Sequence, residues 1–137
     1  MTTHRQHSQG KMVLIVDKDP ACRVALEDVL RRAGHEIHSA ETRERAKELV
    51  RTFAYDLVLL ENCLGGGASS HDGLGILSSI RSRSRSCRVI LTADNGSPLL
   101  AEAARELGAA GYLEKPVALA TILEEMERCG LACSGCE

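Results

Sequence analysis

Apolar residues in this chain fall into short unbroken runs, each followed by a longer stretch in which they recur every three or four positions. Met12-Val13-Leu14-Ile15-Val16 and Leu57-Val58-Leu59-Leu60 show no polar alternation, the pattern of strands buried on both faces of a parallel sheet. Val89-Ile90-Leu91 repeats it, and Glu36–Ala40 and Gly111-Tyr112-Leu113 supply two shorter runs. Strands are therefore predicted at residues 12–16, 36–40, 57–61, 89–92 and 111–114.

The intervening stretches read as amphipathic helices. Pro20 suits the first position of a helix carrying Cys22, Leu26, Val29, Leu30 and Ala33 on one face and stopping at Gly34. A second helix starts from Glu41, with Ala46, Leu49, Val50 and Phe53 inward; a third spans residues 73–82 with Leu74, Leu77 and Ile80 on a stripe. Ser97 caps a fourth, Pro98 opens it, and Leu100, Ala103, Ala104 and Leu107 face inward. The last carries Leu119, Ile122, Leu123 and Met126 and fades at Gly130. Five strands alternating with five helices at this spacing predict one α/β domain, a parallel sheet covered on both faces.

Composition narrows the function. A chain of 137 residues is long enough for one real core. With one Phe, two Tyr and no Trp, that core is aliphatic and the stacking platforms of a single-strand nucleic-acid binder are missing. A net charge of −2 gives no electrostatic case for nucleic acid or an acidic membrane. No run has membrane-spanning length, and the polar opening lacks a signal-peptide core, so a cytoplasmic location and thiol cysteines are expected. Residues 1–10 read as a disordered tail, His4 and His7 included.

Strand ends gather chemistry in open α/β sheets. Here the first ends in Asp17-Lys18, the third in Glu61, the fourth in Thr92-Ala93, and the fifth in Glu114-Lys115-Pro116. The loop at residues 62–72 is long and Gly-rich, but it lacks the spaced glycines of a dinucleotide site and the Gly-Lys-Ser/Thr of a P-loop, and reads as a flexible insertion. The Arg–Ser run at 81–88 reads as a solvated helix end and loop.

Order and spacing of these polar strand ends, with Gly108-Ala109-Ala110-Gly111-Tyr112-Leu113-Glu114-Lys115-Pro116 after the fourth helix, resemble the CheY-like receiver domain of two-component response regulators over residues 11–128. The resemblance implies a flavodoxin-like sheet of order 2-1-3-4-5 and a cis Lys115–Pro116 bond. It also implies a crevice in which an Asp on the third strand accepts a phosphoryl group, adjacent acids and the carbonyl at Cys63 hold Mg2+, and Thr92 and Lys115 bind phosphoryl oxygens. Tyr112 corresponds to the switch aromatic. The docking surface it implies is the fourth helix, fifth strand and fifth helix around Tyr112, for a histidine kinase or an output protein.

The chain departs from that pattern where the chemistry is concentrated. Lys18 stands at the second acidic position and Glu61 at the phosphoacceptor. Asp17 and Glu61 then oppose Lys18 and Lys115, formally zero charge, where a family-typical pocket needs a dication to neutralise it. A second cation at 4 Å is repelled by about 1 kcal/mol even in water, and Glu61 is one methylene longer than Asp, on the order of the 1 Å misplacement that costs about a hundredfold in rate. The expectation is a stand-alone pseudo-receiver: a non-enzymatic, phosphorylation-independent interaction module with no cofactor and weak or absent Mg2+ binding, in which Lys18 or Lys115 pairs with Glu61. One alternative is a working receiver with an unusual pocket. A drifted pocket without a selected role is another. A third is a redox or metal sensor using Cys129, Cys133 and Cys136, whose C-x3-C-x2-C spacing lies in a tail, residues 129–137, that otherwise reads as flexible.

Overall fold

The structure is a computed structural model that describes residues 10–65 and 71–133. Ten elements alternate in chain order: β1 (Met12–Val16), α1 (Pro20–Arg32), β2 (Glu36–Ala40), α2 (Arg43–Thr52), β3 (Leu57–Glu61), α3 (Asp72–Arg83), β4 (Arg88–Ala93), α4 (Pro98–Glu106), β5 (Gly111–Glu114) and α5 (Leu119–Arg128). The strands form one parallel sheet in the order β2-β1-β3-β4-β5, as expected. The predicted strand bounds hold, with β4 one residue longer at each end.

Both faces of the central strands are buried because side chains alternate and helices cover each side. Leu14, Val16, Val58, Leu60, Val89 and Leu91 meet Ala46 and Leu49 of α2, Ile76, Leu77 and Ile80 of α3, and Leu100 and Ala104 of α4. Val13, Ile15, Leu57, Leu59 and Ile90 meet Leu26 and Leu30 of α1 and Ile122 and Met126 of α5. Ser97 caps α4 as predicted, while the second helix starts at Arg43 behind a Thr42 cap, two residues after the expected Glu41. The side chains of Asp19, Thr42 and Ser97 each accept a backbone N–H in the first turn of α1, α2 and α4.

Two sequence expectations need correction. Phe53 does not turn inward: it is 42% exposed, its ring set edge-on to His38 at 4.6 Å. The chain after α5 is not loose from residue 129. Gly130, at φ +99°, ends the helix in the left-handed region that only glycine adopts cheaply. The Leu131 N–H then returns to the Met126 carbonyl at 3.0 Å, and Cys129, Leu131 and Cys133 are buried among the side chains of α1 and α5. His35 clasps this segment. The Lys11 N–H donates to its Nδ1 at 3.1 Å, which leaves Nε2 to carry the proton given to the Ala132 carbonyl at 2.5 Å. A glycine that breaks a helix can thus redirect the chain onto the core rather than release it. The expectations for residues 1–9, for 66–70 in the long loop, and for Cys136 lie outside the described residues.

Candidate functional site

The carboxyl ends of β1, β3, β4 and β5 border a crevice of about 610 Å3, lined by Lys18, Asp19, Cys22, Glu61, Asp94, Lys115, Pro116, Val117 and Ile122. Glu61 sits at its base because β3 is buried along its whole length and ends there. The start of α3 presses on that end. A Cβ on Gly73 would come within 2.7 Å of the Asn62 Cα and 2.8 Å of the Glu61 carbonyl oxygen, so only glycine allows this approach. The flanks of the long loop are anchored to the same place: Asn62 Nδ2 lies 3.1 Å from His71 Nδ1, and the Leu64 N–H donates to Asp72.

Both oxygens of Glu61 are engaged. Oε1 accepts the Lys18 backbone N–H at 2.9 Å, while Oε2 accepts the Lys18 ammonium at 2.7 Å and the Lys115 ammonium at 3.3 Å. Lys115 also donates to Asp17 Oδ2 at 3.0 Å, across the cis Lys115–Pro116 connection that the resemblance implies. The other Asp17 oxygen accepts the Asp19 N–H at 2.8 Å. The two carboxylates are each only 1% exposed, and these donors replace the water that burial takes away.

Burial by itself pulls the Lys115 ammonium down, but Asp17 and then Glu61 more than reverse this and hold its pKa above the ordinary 10.5. Lys18 behaves likewise: desolvation opposes its charge, and Glu61 and Asp94 outweigh it. Cys22 is the opposite case, its thiol pushed up to about 12 by burial and by the Asp17 carboxylate.

Lys18 does more than pair with Glu61. Its ammonium also donates to the Cys63 carbonyl at 2.9 Å and approaches Asp94 Oδ2 at 3.4 Å. Carboxylate, backbone carbonyl and second carboxylate are the oxygen types a hard dication would recruit, and here they converge on a lysine. Among the described residues no group of three His, Cys, Asp or Glu side chains is arranged to hold a metal.

The remaining candidates sit apart from this cluster. Thr92 lies opposite Glu61 in the β3–β4 ladder, yet its buried hydroxyl has no hydrogen-bond partner. Ala93 is buried beside it. Tyr112 faces a separate hollow of about 330 Å3 with Ala101, Arg105, Glu125 and Arg128, and its hydroxyl donates to Glu114 at 3.3 Å. Cys129 and Cys133 are packed in the core, the Cys133 thiol donating to the Leu131 and Leu123 carbonyls. The sequence reading missed Asp94, although its position just after Thr92-Ala93 at a strand end was signal enough. It also missed Arg23, whose guanidinium ties the Asp17 carbonyl at 2.7 Å and pairs with Glu41.

A doubly covered parallel sheet with an acidic strand-end crevice and a lysine arriving after β5 defines a receiver-type signalling domain. The family model described as the response regulator receiver domain matches residues 13–127, and the chain belongs to that family, a module of two-component signalling. It is 34% identical over 116 residues to the response regulator protein FleR of Pseudomonas aeruginosa, covering 85% of this chain and 24% of that protein. It is 31% identical over 127 residues to the transcriptional regulatory protein PdtaR of Mycobacterium tuberculosis, covering 92% of this chain and 60% of that one. The chain thus spans less than two thirds of the length of either relative. Among solved structures, the non-phosphorylated HemR receiver domain of Leptospira biflexa superposes with a TM-score of 0.78 at 24% identity, over 89% of this chain and 96% of that one. A CheY-like receiver protein from Methanospirillum hungatei gives 0.77 at 23%, over 86% and 91%. These two structural likenesses speak to the fold. No helix among the described residues is long and apolar enough to cross a membrane.

Proposed function

We propose that this chain is a pseudo-receiver: a cytoplasmic, phosphorylation-independent protein-interaction module that retains the receiver fold without the receiver's phosphoryl chemistry. The observation that carries the reading is the Lys18 ammonium, seated on Glu61 Oε2 and the Cys63 carbonyl at 2.7 and 2.9 Å. An ammonium there supplies the positive charge a dication would, so Mg2+ would have to displace it and pay its own dehydration. Glu61, with three donors on its two oxygens, is a poor nucleophile as well as an over-long one. The thiol-sensor alternative is disfavoured at two of its three thiols: Cys129 and Cys133 are buried, and burial raises both, Cys133 to about 11, leaving little reactive thiolate at neutral pH. What favours a working pocket is Thr92, whose unpartnered hydroxyl and neighbour Lys115 are the groups that would meet phosphoryl oxygens.

Without phosphorylation the module acts by docking. The hollow beside Tyr112, between α4, β5 and α5, and Leu99 on the first turn of α4, 82% exposed, support that face as the partner surface, for a histidine kinase or an output protein.

The test is incubation with acetyl phosphate and Mg2+ followed by intact mass, alongside Mg2+ titration watched at the amides near Asp17 and Glu61. The expected result is no phosphoryl adduct and no titration in the native chain, with Lys18→Asp gaining Mg2+ affinity by at least about tenfold through the added carboxylate and the lost repulsion. Native protein that is phosphorylated at Glu61, or that binds Mg2+ as well as the Lys18→Asp variant, overturns the reading.

A further inference from the structure

At the end of the sheet opposite the crevice, the last turns of α2 and α3 and the entries to β3 and β4 enclose a cavity of about 280 Å3. Its floor is apolar: Val50, Phe53, Tyr55, Val58, Ile80 and Cys87. Arg51 and Arg83 line it too, with the exposed Arg85 following in the turn after α3. None of these three guanidiniums has a carboxylate within 4.0 Å among the described residues. Arg23, Arg31, Arg32, Arg43, Arg45, Arg105 and Arg128 all do. Unpaired arginine is therefore concentrated at this one end.

Part of that charge answers the carbonyl ends of α2 and α3. Each helix terminus is equivalent to roughly half a negative charge, so two termini cancel about one of the three arginines and leave the rim positive. The turn that presents it is braced: Arg81 donates to the Ser84 and Arg85 carbonyls at 3.1 and 3.2 Å and to the Gly108 carbonyl at 3.0 Å. Phe53 is packed edge-on against His38 yet 42% exposed, which leaves part of this apolar lining open to solvent.

We propose that this cavity is a second docking site, for an acidic segment of a partner protein that inserts one aliphatic or aromatic side chain while its carboxylates pair with Arg51 and Arg83. An apolar anchor in a pocket rimmed by arginine is the arrangement from which protein interfaces draw most of their binding energy. A nucleic acid suits it less well. A single half-exposed Phe is no stacking platform, and a net charge of −2 opposes a long polyanion beyond the immediate rim. The site does not use the crevice, so it stands whether or not the pseudo-receiver reading holds.

The experiment titrates the isotope-labelled full chain with a short synthetic peptide of Asp and Glu around one central Leu. Saturable amide shifts are expected at residues 50–55 and 80–87, with affinity falling at higher salt. Placing Ala at the centre of the peptide, or combining Arg51→Glu with Arg83→Glu in the protein, should weaken binding about tenfold or more, the loss of a hot-spot contact. Arg51→Gln with Arg83→Gln should fall between. It guards against misfolding of the charge-reversed variant, whose amide spectrum must otherwise match the native one. Shifts centred on the crevice or on Tyr112, equal binding of a Lys-based peptide, indifference to the central residue, or tighter binding of a single-stranded oligonucleotide would each overturn the proposal.

Discussion

The two ends of this sheet treat charge in opposite ways. At the carboxyl end, Asp17, Glu61, Lys18 and Lys115 satisfy one another within 3.3 Å, and beside them the buried Thr92 hydroxyl and Asn62 Oδ1 have no hydrogen-bond partner among the described residues. At the amino end Arg51 and Arg83 line an apolar hollow, with no carboxylate within 4.0 Å of either among the described residues. The crevice is the place where a receiver's ligand chemistry belongs, yet its charges are closed on themselves. The far end belongs to no expected site, yet its charges are open. Internal compensation removes the electrostatic demand for a ligand, and uncompensated charge beside apolar surface creates one.

If that contrast is right, the crevice lysines are stability elements and the far arginines are not. Replacing Lys115 by Met should have the largest effect, a loss of about 3 kcal/mol in urea unfolding, because it strands two buried carboxylates with one partially exposed counter-charge. A loss no larger than that of a surface substitution would break the comparison at its strongest point. The same pairs set an alkaline limit. The folded-state pKa values of Lys18 and Lys115 lie above the ordinary 10.5. Their contribution is therefore complete below about pH 10.5 and is lost as pH rises through the raised values. Thermal melts from pH 9 upward should show that drop in the native chain and a smaller one in Lys115→Met.

Thr92→Val sharpens the contrast from inside the crevice. It swaps a buried hydroxyl without a partner for a methyl of similar shape and should stabilise the chain by about 1 kcal/mol. A destabilisation of that size would mean the hydroxyl has a role in the resting protein. The smallest effect belongs to the far end. Arg51→Glu with Arg83→Glu should leave the unfolding free energy within about 1 kcal/mol of the native value, the cost of placing acids at two helix termini. These arginines would then be dispensable for folding while remaining needed for the peptide titration.

Much of this protein was legible in its sequence because local rules wrote it. Unbroken apolar runs marked strands buried on both faces, and Asp19-Pro20 and Ser97-Pro98 marked helix starts, since a cap and its first-turn N–H groups lie within three residues of each other. Even the pairing of Glu61 with lysine could be argued from charge alone once the strand ends were aligned. Tertiary structure decided what lies far apart in the chain. Lys18 reaches the Cys63 carbonyl and Asp94 across 45 and 76 positions, and no period or motif encodes which loop carbonyl an ammonium will meet. Gly130 was visible as a helix stop, but whether the following residues left or returned depended on the space between α1 and α5 that receives Leu131. The cavity at the sheet's amino end joins residues 50–58 to residues 80–87, and only the packing of α2 beside α3 turns two ordinary helix ends into one lined hollow.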